Sequence, residues 1–186
     1  MNFNREKEND TQSAMKKKLA KIISQFSEKR EMNVGEIEDG FVLDIPVEYK
    51  SIAKHLLPGK EVRHQFVFVT GNRKMSNGKE IYQIFTVCAP EEDTFYRNAL
   101  FLNANLTFGA FAIADVETIS SDLKREVLCL PTGEVRVAQV KKEKCFVLVD
   151  TYMVSEADAI QMEASIMTIA KAGDKLEKML MKEDIR

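Results

Sequence analysis

The chain has 186 residues, 45% of them apolar and 30% charged, with a formal net charge of −2. That balance is one of a folded domain, and the length suits a single core that needs no disulfide staples. A net charge so near zero excludes the global basic excess of a nucleic-acid binder. No apolar run reaches the roughly 18–20 residues of a membrane span.

Residues 1–10 are polar, lack the apolar stretch of a signal peptide, and read as a flexible leader before one α+β domain over 11–186. From Thr11 to Arg30, Met15, Leu19, Ile22 and Phe26 recur at spacings of four, three and four, the stripe of an amphipathic helix. Lysines cover its other side, so Lys16-Lys17-Lys18 reads as a solvated face, and Lys141-Lys142 as a loop. Glu38-Asp39-Gly40 punctuates the chain before a strand-like run, Phe41 to Ile45. Pro46 then opens a short segment in which Tyr49, Ile52, Ala53 and Leu56 fall at helical spacing, ended by Pro58-Gly59.

The clearest β signal is the pair Val62–Thr70 and Glu80–Cys88, rich in aromatic and β-branched residues and joined by a loop ending in Asn77-Gly78. Both strands are apolar on both faces, with Phe66 and Phe68 on one and Val67 and Val69 on the other. Such a strand needs cover twice, by helices on one side and by another subunit or a ligand on the other. After Pro90, Glu91-Glu92-Asp93-Thr94 favours a helix start, and Phe95, Ala99, Leu102 and Leu106 repeat the four-three-four stripe. Gly109 begins a strand over 110–114. A hairpin about Pro131-Thr132-Gly133 fits the segment 116–144. Cys145 to Met153 is a strand, and Ser155 with Asp158 forms a capping box for the final helix. Along that helix Ala159, Met162, Ile166, Ile169, Gly173, Leu176 and Leu180 make one stripe, which predicts packing onto the sheet. The predicted fold class is therefore α+β, a mostly antiparallel sheet with an N-terminal, a middle and a long C-terminal helix packed on it.

Chemistry-bearing residues are sparse. Cys88, Cys129 and Cys145 are odd in number and set among apolar neighbours, as in buried reduced thiols of a cytoplasmic protein. The two histidines, His55 and His64, carry no adjacent nucleophile or base motif. No Cys-x-x-Cys, His-Glu-x-x-His or calcium loop occurs, and the single glycine of Val69-Thr70-Gly71-Asn72-Arg73 makes a turn rather than a phosphate cradle. The expectation is no catalytic residue, no metal and no cofactor.

One stretch goes beyond composition. Asn103-Ala104-Asn105-Leu106-Thr107-Phe108-Gly109-Ala110-Phe111-Ala112-Ile113 runs from helix into strand, and Phe146-Val147-Leu148-Val149 leads into a long helix opened by Ser155-Glu156-Ala157. This order resembles the YbjN-like and class I type III secretion chaperone-like superfamily, over most of residues 11–183 in element order. Residues 116–144 depart from it as an insertion where the family makes a tight hairpin, and Pro46–Leu57 intervenes before the second strand. The resemblance implies a non-enzymatic homodimer that binds an extended polypeptide, without nucleic acid or membrane. On that reading Phe66, Phe68, Ile81 and Ile84 form the partner surface, and Phe95, Leu102 and Phe108 the dimer face. Two alternatives stand beside it: a small-ligand or sensory domain with a pocket lined by Phe66, Phe85 and Phe111, and a thiol- or histidine-dependent enzyme.

Overall fold

The computed structural model describes residues 3–30, 32–48, 62–118 and 141–181. In chain order these form α1 (Phe3–Arg30), β1 (Asn33–Ile37), β2 (Gly40–Glu48), β3 (Val62–Lys74), β4 (Glu80–Pro90), α2 (Tyr96–Asn103), β5 (Ala110–Thr118), β6 (Lys141–Met153) and α3 (Ala159–Met181). Single 3-10 turns precede α2 and α3. The six described strands make one antiparallel sheet in the order β1-β2-β3-β4-β6-β5. The fold class is the α+β arrangement that the periodicities predict, with N-terminal, middle and long C-terminal helices.

Period-two alternation decides what the helices cover. Leu43 pairs with Val67, Val69 with Ile84, Ile84 with Asp150 and Thr86 with Leu148, so these residues share one face. All of the apolar residues among them are fully buried. Onto that face α1 sets Leu19, Ile23 and Phe26, and α3 sets Met162, Ile166 and Ile169, each at 2% exposure or less. Full burial of one such side chain contributes about 1.5–3 kcal/mol. At the far edge α2 buries Ala99, while Phe95 and Tyr96 meet the ring of Phe146 at 6.2 and 5.2 Å.

Several boundaries differ from the sequence reading, each for a local reason. Helix α1 starts at Phe3, inside the stretch read as a leader, because Glu, Lys and Asn residues extend an existing helix at little cost. Strand β1, unforeseen, is five residues carrying Gly35 and exposed at four positions, so it has no apolar pattern to read. Its turn to β2 is Glu38-Asp39, the punctuation seen in the sequence. Pro46, read as a helix opener, lies inside β2 opposite His64. It sits past the end of β1, whose last partner on β2 is Asp44, so its missing N–H breaks no described rung. The remainder of the Pro46–Leu57 segment, the Pro131 hairpin and most of 116–144 lie outside the described residues; 116–118 and 141–144 belong to β5 and β6.

Turn chemistry follows the sequence. Gly78 and Gly109 hold φ of +81° and +73°, where a side chain would be strained. The start of α3 is a correction. Asp158 itself is the cap, its Oδ1 accepting from the N–H groups of Ile160 and Gln161 at 2.9 and 3.0 Å. Ser155 instead falls in the 3-10 turn Val154–Glu156.

Candidate functional site

With the three described helices on one face, alternation turns Phe66, Phe68, Ile81, Phe85, Val87 and Val149 to the other. None of these six is fully buried. Phe68 and Phe85 are directly opposed on neighbouring strands and stack with centroids 5.1 Å apart. Polar side chains share this face, with Gln83 between Ile81 and Phe85 on β4. Gln83 Nε2 donates to Thr151 Oγ1 at 3.2 Å on one side. His64 Nδ1 meets Asp44 Oδ1 at 2.6 Å on another. The face thus mixes partly exposed apolar side chains with hydrogen-bonded polar ones, and toward β6 Val147, opposite Val87, is 4% exposed.

Of the four residues proposed for a partner, Phe66, Phe68 and Ile81 are on this face, but Ile81 pairs with Arg73 and is separated from Phe85 by Gln83. Ile84 is not. Three positions from Ile81 along a regular strand, it points under the helices and is 0% exposed, so no partner reaches it. Phe85 takes its place, one residue on and in the stack. The same parity separates the residues of the ligand-pocket reading: Phe111 is buried on the helix side, whereas Phe66 and Phe85 face away from it. A crevice of about 500 Å³ does lie between α1, the β3–β4 tip and the β6–α3 turn, but it is lined by Met15, Lys18, Lys79, Glu80 and Val154.

The residues suggested for a dimer face are turned mostly inward. Phe95 and Leu102 pack against the core, and Phe108 is half-buried. On the outer side of α2, Leu100 and Phe101 are 69% and 71% exposed. They fall between the stripe positions Ala99 and Leu102, so the helical period that buried their neighbours also marked them as outward. Adjacent large apolar residues so exposed are unusual on a small domain.

The helix-covered face carries unexpected polarity. Asp174 on α3 is 1% exposed and meets Arg63 at 3.0 Å through Oδ1, while Oδ2 has no hydrogen-bond partner. Burial holds its carboxyl above the usual range, with Lys178 pulling the other way. Nearby, Gln65 Nε2 donates to Thr86 Oγ1 at 2.7 Å and to Glu177 Oε1 at 3.1 Å. Further down the sheet, Asp150 accepts from the hydroxyl of Tyr152, from Ser165 at 3.2 Å and from the Thr151 N–H at 2.9 Å. Burial first, then the hydrogen bond to Asp150, pushes the Tyr152 hydroxyl up to about 12. Tyr82, stacked on Tyr152 at 5.4 Å, is fully buried and its hydroxyl has no partner.

Among the described residues, Cys88 lies under α3 and His64 on the opposite face of the sheet. Cys88 and Cys145 are buried, 4% and 3% exposed, and burial pushes the Cys88 thiol far up, away from the nucleophilic thiolate. His64 is engaged with Asp44 on the open face; His55 and Cys129 lie outside the described residues. Among the described residues no group of three or more His, Cys, Asp or Glu side chains is placed to hold a metal, and no helix is long and apolar enough to cross a membrane. The lysine run proves partly structural rather than solvated. Lys16 Nζ donates to the Ile37 carbonyl at 2.7 Å and pairs with Glu36, and Lys18 Nζ donates to the Val154 carbonyl. Comparison with models of protein families and with curated proteins finds no match to the chain.

Proposed function

We propose that the chain is a non-enzymatic protein-binding domain, a homodimeric chaperone-like or adaptor protein that receives an extended polypeptide segment. The observation that carries this reading is the sheet face away from the helices, with Phe66, Phe68 and Phe85 grouped and partly exposed and Ile81 further along it. Apolar surface of this kind gains about 25 cal/mol for each Å² removed from water, which favours an apolar partner over a charged one. Side chains of an extended segment alternate in direction, so every second residue meets such a field while the others remain hydrated. Contact between copies is assigned to the outer side of α2, where Leu100 and Phe101 stand exposed. The resemblance in element order to the secretion chaperone-like superfamily supports the same reading. The buried thiol of Cys88 suits a reducing compartment, the cytoplasm.

Photo-crosslinking tests the client surface. A benzophenone amino acid at Phe68 or Ile81 is expected to capture a polypeptide through one short segment, whereas the same probe at exposed Lys171 on α3 captures none. Equal capture at all three positions removes the assignment. Light scattering tests the assembly: a dimer is expected that becomes a monomer on Phe101→Glu, and a wild-type monomer refutes the dimer.

A further inference from the structure

The β3–β4 pairing stops early. Its rungs run from Lys74–Glu80 to Phe68–Phe85, and in register the next would be Val67–Thr86 and Phe66–Val87. Neither forms. Above this point β3 stays paired with β2 as far as Val62, and β4 with β6 as far as Pro90. The sheet therefore forks. Next to this point β4 carries a bulge: Val87 and Ala89 oppose Val147 and Phe146, leaving Cys88 as an extra residue. A bulge of this type bends its strand and tightens the twist, here away from β3.

Side chains replace the missing rungs. The Thr86 hydroxyl donates to the Phe66 carbonyl at 2.7 Å and accepts from Gln65 Nε2, which also reaches Glu177 on α3. Helix α3 seats its backbone directly over the fork. A Cβ on Gly173 would lie 2.5 Å from Thr86 Cγ2 and 3.5 Å from both Cys88 Sγ and Gln65 Nε2. The Arg63–Asp174 ion pair fastens the next residue of the helix to the β3 side.

We infer that the sheet is built as two leaves, β1–β2–β3 and β4–β6–β5, which hinge about their shared lower ladder, with α3 at Gly173 as the wedge that sets their opening. Two or three side-chain hydrogen bonds hold the fork, against a continuous backbone ladder elsewhere, so this is where the sheet yields first. On the open face the hinge sets the spacing of Phe66 on one leaf from Val87 on the other. Such a hinge exists whether or not that face receives a polypeptide.

Nitrogen-15 relaxation dispersion on the full chain tests it, because leaf motions fall in the microsecond-to-millisecond window. One shared exchange process is expected at Gln65, Phe66, Thr86 and Val87, with flat profiles at Phe68, Val69, Ile84 and Phe85. Thr86→Val keeps the shape and removes the hydroxyl, so the minor population should rise about fivefold, the factor for one net hydrogen bond. Gly173→Ala should perturb the same residues in the same direction. If it impairs folding, Thr86→Val alone carries the test. Flat profiles at the fork in both wild type and Thr86→Val, or exchange spread evenly over both strands, overturns the hinge.

Discussion

Tyr82 and Tyr152 stack on each other beneath the helices, yet their hydroxyls have opposite circumstances, and substituting each by Phe should move stability in opposite directions. The Tyr82 hydroxyl is buried and unpartnered. Burying a hydroxyl without a hydrogen bond costs about 1–3 kcal/mol on protein scales, so Tyr82→Phe should stabilise the fold by about 1 kcal/mol once the small loss of packing is subtracted. The ring and its 5.4 Å stack remain. The Tyr152 hydroxyl donates to Asp150, and a hydrogen bond to a charged group contributes about 1.5–3 kcal/mol. Tyr152 is only half-buried, which reduces this, so Tyr152→Phe should cost about 1–2 kcal/mol. Urea unfolding followed by circular dichroism measures both, as midpoint shifts at constant m-value. For a chain of this size the two melting temperatures should separate by about 4–10 °C. If Tyr82→Phe lowers the midpoint as Tyr152→Phe does, the hydroxyl has a partner and the reasoning fails.

Other perturbations follow the same geometry. Ile84→Ala should cost about 2–5 kcal/mol in urea, and Ile81→Ala, on the open face, less than about 1 kcal/mol; equal losses would contradict the facing deduced from register. Cys88 should resist iodoacetamide in the native protein at pH 8 and react once unfolded; rapid native alkylation at Cys88 would show that its thiol is reached. Asp174 binds its proton more tightly when folded, so its contribution to stability falls as pH rises from the ordinary carboxylate value near 3.9 through its raised folded value, then levels off. The stability difference between wild type and Asp174→Asn should decline over that interval in unfolding titrations. A difference independent of pH, or one that grows, would show that the Arg63 pair outweighs burial.

What was legible in the sequence was whatever a local period could carry. The β-branched runs of β3 and β4, the Asn77-Gly78 turn and the α3 stripe all announce themselves within a dozen residues. Which face of a doubly apolar strand meets the helices does not. Phe66 and Val67 have similar claims, and only the docking of α1 and α3 chooses between them, which is why Ile84 was grouped with Ile81. Strand β1 has too few apolar residues to leave a pattern. Asp174 reads as a solvated helix residue because its partner, Arg63, is distant in sequence. The site is half visible: Phe66 and Phe68 can be named from alternation, whereas Leu100 and Phe101 fall between the stripe positions Ala99 and Leu102 and read as ordinary outer residues of α2.

The lysine contacts of α1 have a consequence for the order in which the molecule is made. Lys16 fastens the helix to the β1–β2 turn, made soon after it, but Lys18 fastens it to Val154, after β6. Leu19, Ile23 and Phe26 pack in the core that α3 completes. Helix α1 thus leaves the ribosome well before the helix it is seated beside, and its apolar side waits in water while the strands between them are translated. Contacts so distant in sequence slow folding and lengthen that exposure. Until α3 arrives, the apolar side of α1 is itself a segment in need of shielding.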